Sequence, residues 1–223
     1  MARSGTASRL KDSGHGGAGD TRRALVDAAI ETLKIDGFAG ASARTIANRA
    51  GCNQGLVFYH FGSVINLLLA ALDQVSVDRL DHYGALASGA GSLDELVEVA
   101  AAIFAEDLDA GHVAVLVQMI AGASSTPGLG PEVAARIAPW TAFAGQAIEQ
   151  SVGATPFGSL LPSKDVALAV VALYLGLEML SHLDDDRAPA LALFDRARTL
   201  AALLGVIGSP MTDPTSSSTE EAP

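Results

Sequence analysis

The stretch Ser42-Ala-Arg-Thr-Ile-Ala-Asn-Arg-Ala-Gly-Cys-Asn-Gln-Gly-Leu-Val-Phe-Tyr-His-Phe-Gly-Ser63 has the pattern of two short helices joined by a glycine turn. The hydroxyl of Ser42 can cap a helix that begins at Ala43. Gly51 follows the last periodic residue, where the chain must leave the helix through a left-handed conformation that glycine adopts at little cost. A second helix is predicted to begin near Asn53. This spacing predicts a helix-turn-helix.

The second helix of this motif is predicted to have an inner and an outer face. Val57 and Phe61 lie four residues apart and are predicted to pack inward together with Phe58. Arg44 and Gln54 are predicted to read bases, because arginine matches guanine and glutamine matches adenine in the major groove. Leu56 is expected at a thymine methyl, and the remaining polar groups at phosphates, where they position the protein. The full predicted DNA-binding set is Ser42, Arg44, Thr45, Asn53, Gln54, Gly55, Leu56, Tyr59, His60 and Ser63.

The segment from Ala50 to Ser63 resembles the recognition segment of the tetracycline-repressor (TetR) family, and the resemblance covers roughly residues 20 to 68. A helix predicted from about Asp20 to the Gly37-Phe38 pair matches the same family. Its inner stripe consists of Leu25, Ala28, Ala29 and Leu33. The resemblance implies an all-α protein with an N-terminal three-helix helix-turn-helix DNA-binding domain. A C-terminal helical bundle for ligand binding and dimerisation would follow.

Two residues depart from the pattern of that family. Phe58 stands where a tyrosine is usual, and Val64 stands where a lysine is usual. The lysine would contact phosphate, so its absence predicts a uniform loss of DNA affinity rather than a change in the sequence read.

The sequence predicts four segments. Residues 1–19 are expected to be a disordered arm, in which Arg3, Arg9 and Lys11 are candidates for additional DNA contacts or simply solvated. Residues 20–66 form the helix-turn-helix domain, 67–207 the ligand-binding and dimerisation domain, and 208–223 a disordered tail. Helices of the second domain are predicted near 63–83, 92–109, 112–123, 131–152, 163–183 and 188–206.

Charge is distributed unevenly along the 223 residues. Residues 1 to 62 contain eight Lys/Arg and five Asp/Glu, whereas residues 63 to 223 contain six and twenty. The overall charge of −11 therefore conceals a basic head on an acidic body. The head is the part expected to approach the phosphates of a double-stranded DNA operator.

The last two helices are predicted to form a four-helix homodimer interface with a second copy of the chain. The most apolar stretch, from Val166 to Leu180, contains Glu178 and is short for a membrane span. We therefore expect no membrane partner and a cytoplasmic protein. The single cysteine, Cys52, suits a reducing compartment and is expected to pack as a small apolar residue.

The family resemblance also implies that the helices after position 68 enclose a small-molecule effector. The candidate ligand-binding residues are Phe104, Gln118, Met119, Trp140, Phe143, Tyr174 and Glu178. Tyr174, Glu178 and His182 recur at intervals of four and would form one polar stripe. Three interpretations of that stripe remain open: a ligand anchor, a contact across the dimer, or a Glu178–His182 pair at the helix end.

No nucleophile, base and acid constellation is recognisable, and the histidines and acidic residues lack a metal-ligand spacing. We therefore expect no catalytic residues, no metal and no cofactor. The sequence favours a ligand-responsive regulator, most simply a repressor that a largely hydrophobic effector releases from a near-palindromic operator. The alternative is a helical small-molecule or lipid binding protein, or an enzyme, without DNA binding.

Overall fold

The computed structural model describes residues 16–152, 162–184 and 186–208, and the described part of the chain is helical with short connections. Its helices are α1 (Gly16–Gly40), α2 (Ala43–Arg49), α3 (Gly55–Phe61), α4 (Val64–Ala87), α5 (Leu93–Ala110), α6 (His112–Ala123), α7 (Leu129–Val152), α8 (Ser163–Asp184) and α9 (Ala188–Gly208). The predicted all-α fold, with an N-terminal helix-turn-helix and a helical C-terminal part, is confirmed.

Several helix boundaries differ by a few residues from those predicted, and three of them concern the N-terminal half. Helix α1 begins at Gly16 rather than near Asp20, and α3 begins at Gly55 rather than near Asn53. Helix α4 continues through Gly84 to Ala87, although a break was expected at Gly84. A glycine inside a helix lowers helix stability by only about 1 kcal/mol relative to alanine. Packing of the neighbouring Tyr83, which is fully buried, offsets this cost. The predicted arm up to residue 15 and the predicted tail from residue 209 lie outside the described residues.

The chain divides into two compact units. The first, here called the N-terminal unit, consists of described residues 16–79 together with 111–137, and the second, the C-terminal unit, contains the other described residues. The N-terminal unit thus adds the first part of α4, helix α6 and the start of α7 to the three helices of the predicted 20–66 domain.

The N-terminal unit has a continuous apolar core. Helix α1 supplies one stripe of this core, and α2, α3, α4, α6 and α7 each add buried side chains. The predicted stripe of Leu25, Ala28, Ala29 and Leu33 is buried. The other helices contribute Ile46, Ala47, Val57, Leu67, Leu68, Ala71, Leu72, Val115, Met119, Leu129 and Val133, among others. Burial of this apolar surface holds the short helices α2 and α3, which are too short to be stable alone.

Helix α6 is joined closely to the end of α1. The backbone N–H of Phe38 donates a hydrogen bond of 3.0 Å to Oε1 of Gln118, eighty residues away in sequence. Gly37 has a left-handed φ of 69°, and a Cβ there would lie 2.8 Å from the same oxygen. The ring of Phe38 lies against Gly122, where a Cβ would approach the ring to 2.4 Å. Two glycines therefore allow α6 and the end of α1 to approach each other.

A bidentate ion pair joins α7 to α4 in the same unit. The guanidinium of Arg136 donates to the two carboxylate oxygens of Asp73 at 2.7 and 3.1 Å, and to Glu132 at 3.0 Å. Hydrogen bonding to Asp73, more than any other cause, raises the pKa of Arg136 above its ordinary value. The start of α7 is thereby fixed beside α4.

In the C-terminal unit, α5 packs along α9 and also contacts α8. Two ion pairs at the surface support this packing: Arg198 of α9 lies 3.8 Å from Glu98 of α5, and Arg187, just before α9, lies 2.6 Å from Asp109 of α5. Large apolar side chains of α8 and α9 remain exposed in the single chain. They are Leu168, Val170, Leu173, Met179, Leu180, Leu183, Leu193, Leu200, Leu203 and Leu204.

Helix α8 is longer than its most apolar stretch indicated. Within the described residues, Ser163–Leu183 is apolar and long enough to cross a bilayer, and only 17% of that window is buried. Helices α3 and α4 meet the same criterion only when joined across a bend of 66°. The helix predicted at 163–183 is thus present, and its apolar window is longer than the Val166–Leu180 stretch on which the expectation of no membrane span was based. Length alone does not exclude a span.

The contact between Gly122 and Phe38 generates a prediction about stability. Gly122→Ala places a methyl group inside the space of the Phe38 ring, and we expect the free energy of unfolding to fall by about 1–3 kcal/mol. Gly130→Ala is the control, because Gly130 is helical and its Cβ would meet no atom within 4 Å. Urea unfolding of both variants checks this, and equal stability would show that the ring contact is not tight.

Candidate nucleic-acid interface

Helix α2 is fixed at both ends. At its start the hydroxyl of Ser42 accepts a hydrogen bond of 3.1 Å from the N–H of Thr45, which confirms the predicted cap. The hydroxyls of Ser42 and Thr45 also lie 2.8 Å apart. At its end Arg49 donates to Asp36 of α1 at 2.9 Å. The exposed Arg44 therefore projects from a helix with a fixed orientation.

The turn between α2 and α3 has the predicted geometry. Gly51 has a φ of 68°, a region that favours glycine. The N–H of Cys52 then donates to the carbonyl of Ala47 at 2.9 Å, and the half-buried Cys52 packs against the core. Asn53 accepts a hydrogen bond of 2.7 Å from the N–H of Gly55 through its side-chain oxygen. The side chain of Asn53 thus shapes the start of α3.

The faces of α3 differ in part from those predicted. Val57 is fully buried, as expected, and Phe61 is half-buried. Phe58 was expected to pack inward but is 52% exposed, whereas Leu56, expected on the outer face, is half-buried against the core. Tyr59 is 78% exposed. The buried face of α3 therefore includes Val57 and part of Leu56. Phe58 lies on the exposed face with Gln54 and Tyr59.

Ser63 acts first as a helix cap. Its hydroxyl accepts a hydrogen bond of 3.1 Å from the N–H of Asn66, and the Asn66 amide donates to the carbonyl of Phe61 at 2.9 Å. Gly62 between the two helices has a φ of 75°. These bonds fix the junction of α3 and α4, and the partly exposed Ser63 hydroxyl retains a donor for an external acceptor.

The predicted ligand-binding residues divide between the two units. Gln118 and Met119 belong to the N-terminal unit, where Gln118 binds the backbone of Phe38 and Met119 is fully buried in the core. The other five predicted residues belong to the C-terminal unit. The seven residues are therefore not brought together within one unit.

Aromatic rings and one carboxylate form a connected cluster in the C-terminal unit. The buried carboxylate of Asp107 accepts hydrogen bonds from the hydroxyls of Tyr83, at 2.7 Å, and of Tyr174. Tyr83 lies 6.3 Å from Trp140, measured between ring centroids, and Trp140 lies 6.4 Å from Phe143. On the other side of Asp107, Tyr174 packs edge-on against Phe104 at 5.4 Å, and Phe104 packs against Phe194. We call these seven residues the aromatic cluster.

The predicted polar stripe of α8 is not uniform. Tyr174 binds Asp107, Glu178 is 1% exposed, and His182 is exposed. Nδ1 of His182 lies 3.9 Å from a carboxylate oxygen of Glu178 and 3.2 Å from its carbonyl oxygen. Within the part of the chain that the structure describes, no three His, Cys, Asp or Glu side chains are grouped to hold a metal ion.

Tyr83, Asp107 and Phe194 were not predicted as site residues from the sequence. A usable signal existed for Asp107, because it follows the buried Ile103 and Phe104 at helical spacing and so shares their inner face. An acidic residue on an apolar helix face requires hydrogen-bond donors, and the tyrosines supply them.

The part of this chain that is similar to known protein families includes the helix-turn-helix just described. The family model of "Bacterial regulatory proteins, tetR family" matches residues 25–71, from the core stripe of α1 to the first turns of α4. The regulator BetI 1 of Chromohalobacter salexigens is 39% identical over 60 residues, which are 27% of this chain and 30% of that protein. The chain thus matches less than a third of the length of that relative.

Solved structures extend the likeness to most of the chain. A TetR-family member from Streptomyces coelicolor has a TM-score of 0.59 and 26% identity, covering 79% of this chain and 97% of its own. The multidrug binding protein EbrR, solved in complex with imidazole, has a TM-score of 0.55 and 25% identity, covering 79% and 93%. The family model, these two structures and the helix-turn-helix agree. Residues 25–71 are therefore a helix-turn-helix domain of the tetR family of bacterial regulatory proteins, and the described part of the chain has the fold of that family.

Proposed function

We propose that this protein is a homodimeric transcriptional regulator that binds a near-palindromic DNA operator and is released from it by a largely hydrophobic small molecule. The observation that carries the proposal is the exposed outer face of α3, mounted on a glycine turn and a capped α2. A repressor is the simplest mode, because effector binding then needs only to weaken DNA binding.

DNA binding is supported by the exposed polar groups of α2 and α3. Arg44 and Gln54 are exposed and suit base edges, while Tyr59 and His60 suit phosphates. The hydroxyls of Ser42 and Thr45 are hydrogen-bonded to each other at the start of α2. They retain further hydrogen-bonding capacity for a phosphate. The half-buried Leu56 is the weakest member of the proposed DNA-binding set, since only part of it can contact a thymine methyl.

Dimerisation through α8 and α9 is supported by their exposed leucines, which would be costly to leave in water. A second copy of the chain can cover the same face by two-fold symmetry. Such a dimer presents two recognition helices to half-sites about one helical turn apart, roughly 34 Å. If a second copy covers this face, the apolar surface of α8 needs no membrane partner, in keeping with the proposed cytoplasmic location.

The aromatic cluster is the proposed place of the effector in the C-terminal unit. Phe104, Trp140, Phe143 and Tyr174 combine apolar ring surface with one polar centre at Asp107. Such composition suits a largely hydrophobic ligand with a single polar group. EbrR, a related fold, is described as a multidrug binding protein. A helical binding protein or enzyme without DNA binding is the competing function, and it predicts no salt-sensitive affinity for DNA.

Substitutions on the exposed face test the DNA-binding proposal. Arg44→Ala should weaken binding to the preferred promoter duplex by about ten- to a hundredfold, because a bidentate base contact contributes about 1–3 kcal/mol. Tyr59→Ala should weaken preferred and scrambled duplexes by a similar factor, because a phosphate contact carries no sequence information. Titrations of labelled duplexes at two salt concentrations measure both effects.

The matched control for Arg44→Ala is Lys34→Ala, which also removes one positive charge from the N-terminal unit. Lys34 pairs with Glu31 at 3.2 Å on α1 and is not on the proposed face. All three substituted side chains are wholly or partly exposed, so the free energy of unfolding should change by less than about 0.5 kcal/mol. Normal binding by both Arg44→Ala and Tyr59→Ala would show that the reading face is assigned wrongly.

The proposed dimer interface predicts the effect of a buried charge. Leu180→Glu should raise the dimer dissociation constant roughly a hundredfold or more, because the carboxylate would be desolvated on association. Leu86→Glu, on an exposed position of α4, is the control. Sedimentation velocity of the two variants distinguishes them, and an intact Leu180→Glu dimer would contradict an interface through α8.

Trp140 is the single tryptophan of the chain and reports directly on the aromatic cluster. A compound that releases the protein from DNA should change the fluorescence of Trp140. Phe143→Ala should weaken its binding by roughly tenfold, because a lost aromatic contact costs about 1 kcal/mol or more. Release from DNA without any change in fluorescence, and with unaltered affinity in Phe143→Ala, would place the effector elsewhere.

A further inference from the structure

The recognition helix α3 contains no lysine or arginine, and neither residue occurs between Arg49 and Arg79. Protein affinity for DNA depends on cations placed beside phosphates. Among the described residues, a lysine or arginine near the C-terminal end of α3 must therefore come from another helix of the N-terminal unit.

Arg22 of α1 supplies a cation at that end of α3. Its Cζ atom lies 5.0 Å from the centre of the ring of Phe61, the last residue of α3. This cation–π contact holds the guanidinium against the helix while Arg22 remains exposed to solvent. A guanidinium has five N–H donors, so an exposed one keeps donors for an anion.

Arg22 also continues a row of side chains along the end of α3. The ring of Tyr59 packs edge-on against His60 at 5.0 Å, and His60 lies 6.3 Å from the ring of Phe61. A helix of seven residues is about 10 Å long, close to the roughly 12 Å width of a major groove. When such a helix lies in the groove, its end lies near the sugar-phosphate backbone that borders the groove.

Other cations of the N-terminal unit are less well placed for this role. Arg49 is bound to Asp36 at 2.9 Å, and Lys34 is bound to Glu31 at 3.2 Å. Arg44 belongs to α2 and is assigned to a base. Arg23 is exposed, but it has no contact with an aromatic ring of α3 among the described residues.

We infer that Arg22 is a phosphodiester-binding residue of the DNA interface, held by the ring of Phe61 at the border of the groove that α3 enters. The inference rests on the proposed function and adds a residue that none of the helix-turn-helix assignments includes. Its contribution is electrostatic, so it strengthens binding to all sequences alike.

The test compares Arg22→Gln with Arg23→Gln, its neighbour of equal charge. Affinities of the full-length variants for the preferred and scrambled duplexes are measured across a range of salt concentrations. Arg22→Gln should weaken both duplexes by the same factor and lower the slope of log affinity against log salt by about 0.9 per contact, or about 1.8 for a dimer. Arg23→Gln should leave both quantities nearly unchanged. An unaltered slope in Arg22→Gln, or an equal loss in Arg23→Gln, would overturn the inference.

A second measurement locates the contact on DNA. Single uncharged methylphosphonates are introduced along the preferred duplex, and the affinity of wild-type and Arg22→Gln protein is measured for each. At the phosphate that Arg22 binds, the substitution should weaken wild-type binding but leave Arg22→Gln unaffected. If every substitution weakened both proteins equally, Arg22 would not bind a phosphate.

The same data distinguish this inference from the proposed function. Wild-type protein without salt-sensitive preference for any duplex would contradict DNA binding as a whole, and Arg22 with it. Preferential wild-type binding combined with an unaltered Arg22→Gln variant would contradict the role of Arg22 alone. Thermal unfolding of Arg22→Gln should match wild type, which separates lost phosphate binding from lost folding.

Discussion

The packing of α1 against α6 is the constraint on which the geometry of the N-terminal unit depends. Gln118 binds the backbone N–H of Phe38, and Gly122 receives the ring of Phe38. This contact fixes the end of α1, from which the chain turns directly into α2. Since α2 and α3 are each only seven residues long, their orientation comes from this frame and from the shared core. Gln118, one of the predicted ligand-binding residues, has a structural role here because it accepts the hydrogen bond from Phe38.

Charge is also distributed unevenly between the helix-turn-helix region and the rest of the chain. The N-terminal 62 residues are net basic, whereas the remainder is strongly acidic. The lysine and arginine side chains near the proposed interface belong to α1 and α2, and α3 carries aromatic and apolar side chains together with His60. In the proposed complex, Arg44 and Gln54 would specify sequence, while Arg22 of α1 and the polar groups placed at phosphates would supply affinity. The acidic remainder opposes non-specific association with nucleic acid.

Short-range signals in the sequence predicted the helix-turn-helix well. The Ser42 cap and the Gly51 turn each depend on residues within a few positions, so local physical chemistry determines them. The prediction of the inward face of α3 was partly wrong. The sequence pattern of only two helical turns does not determine whether Leu56 or Phe58 packs into the core beside Val57. The hydrogen bonds from Phe38 to Gln118 and from Tyr174 to Asp107 join residues 80 and 67 positions apart. Such contacts depend on tertiary packing, which helical periodicity does not report.

Selection from a random duplex library with the full-length protein is the most direct measurement of the central claim, that the face of α3 reads DNA. We expect enrichment of a near-palindrome whose half-sites are about one helical turn apart, roughly 10 base pairs, with enrichment that declines as salt rises. Absence of any enriched sequence at low salt, from a folded dimer, would contradict the account and favour a helical ligand-binding protein that does not act on DNA.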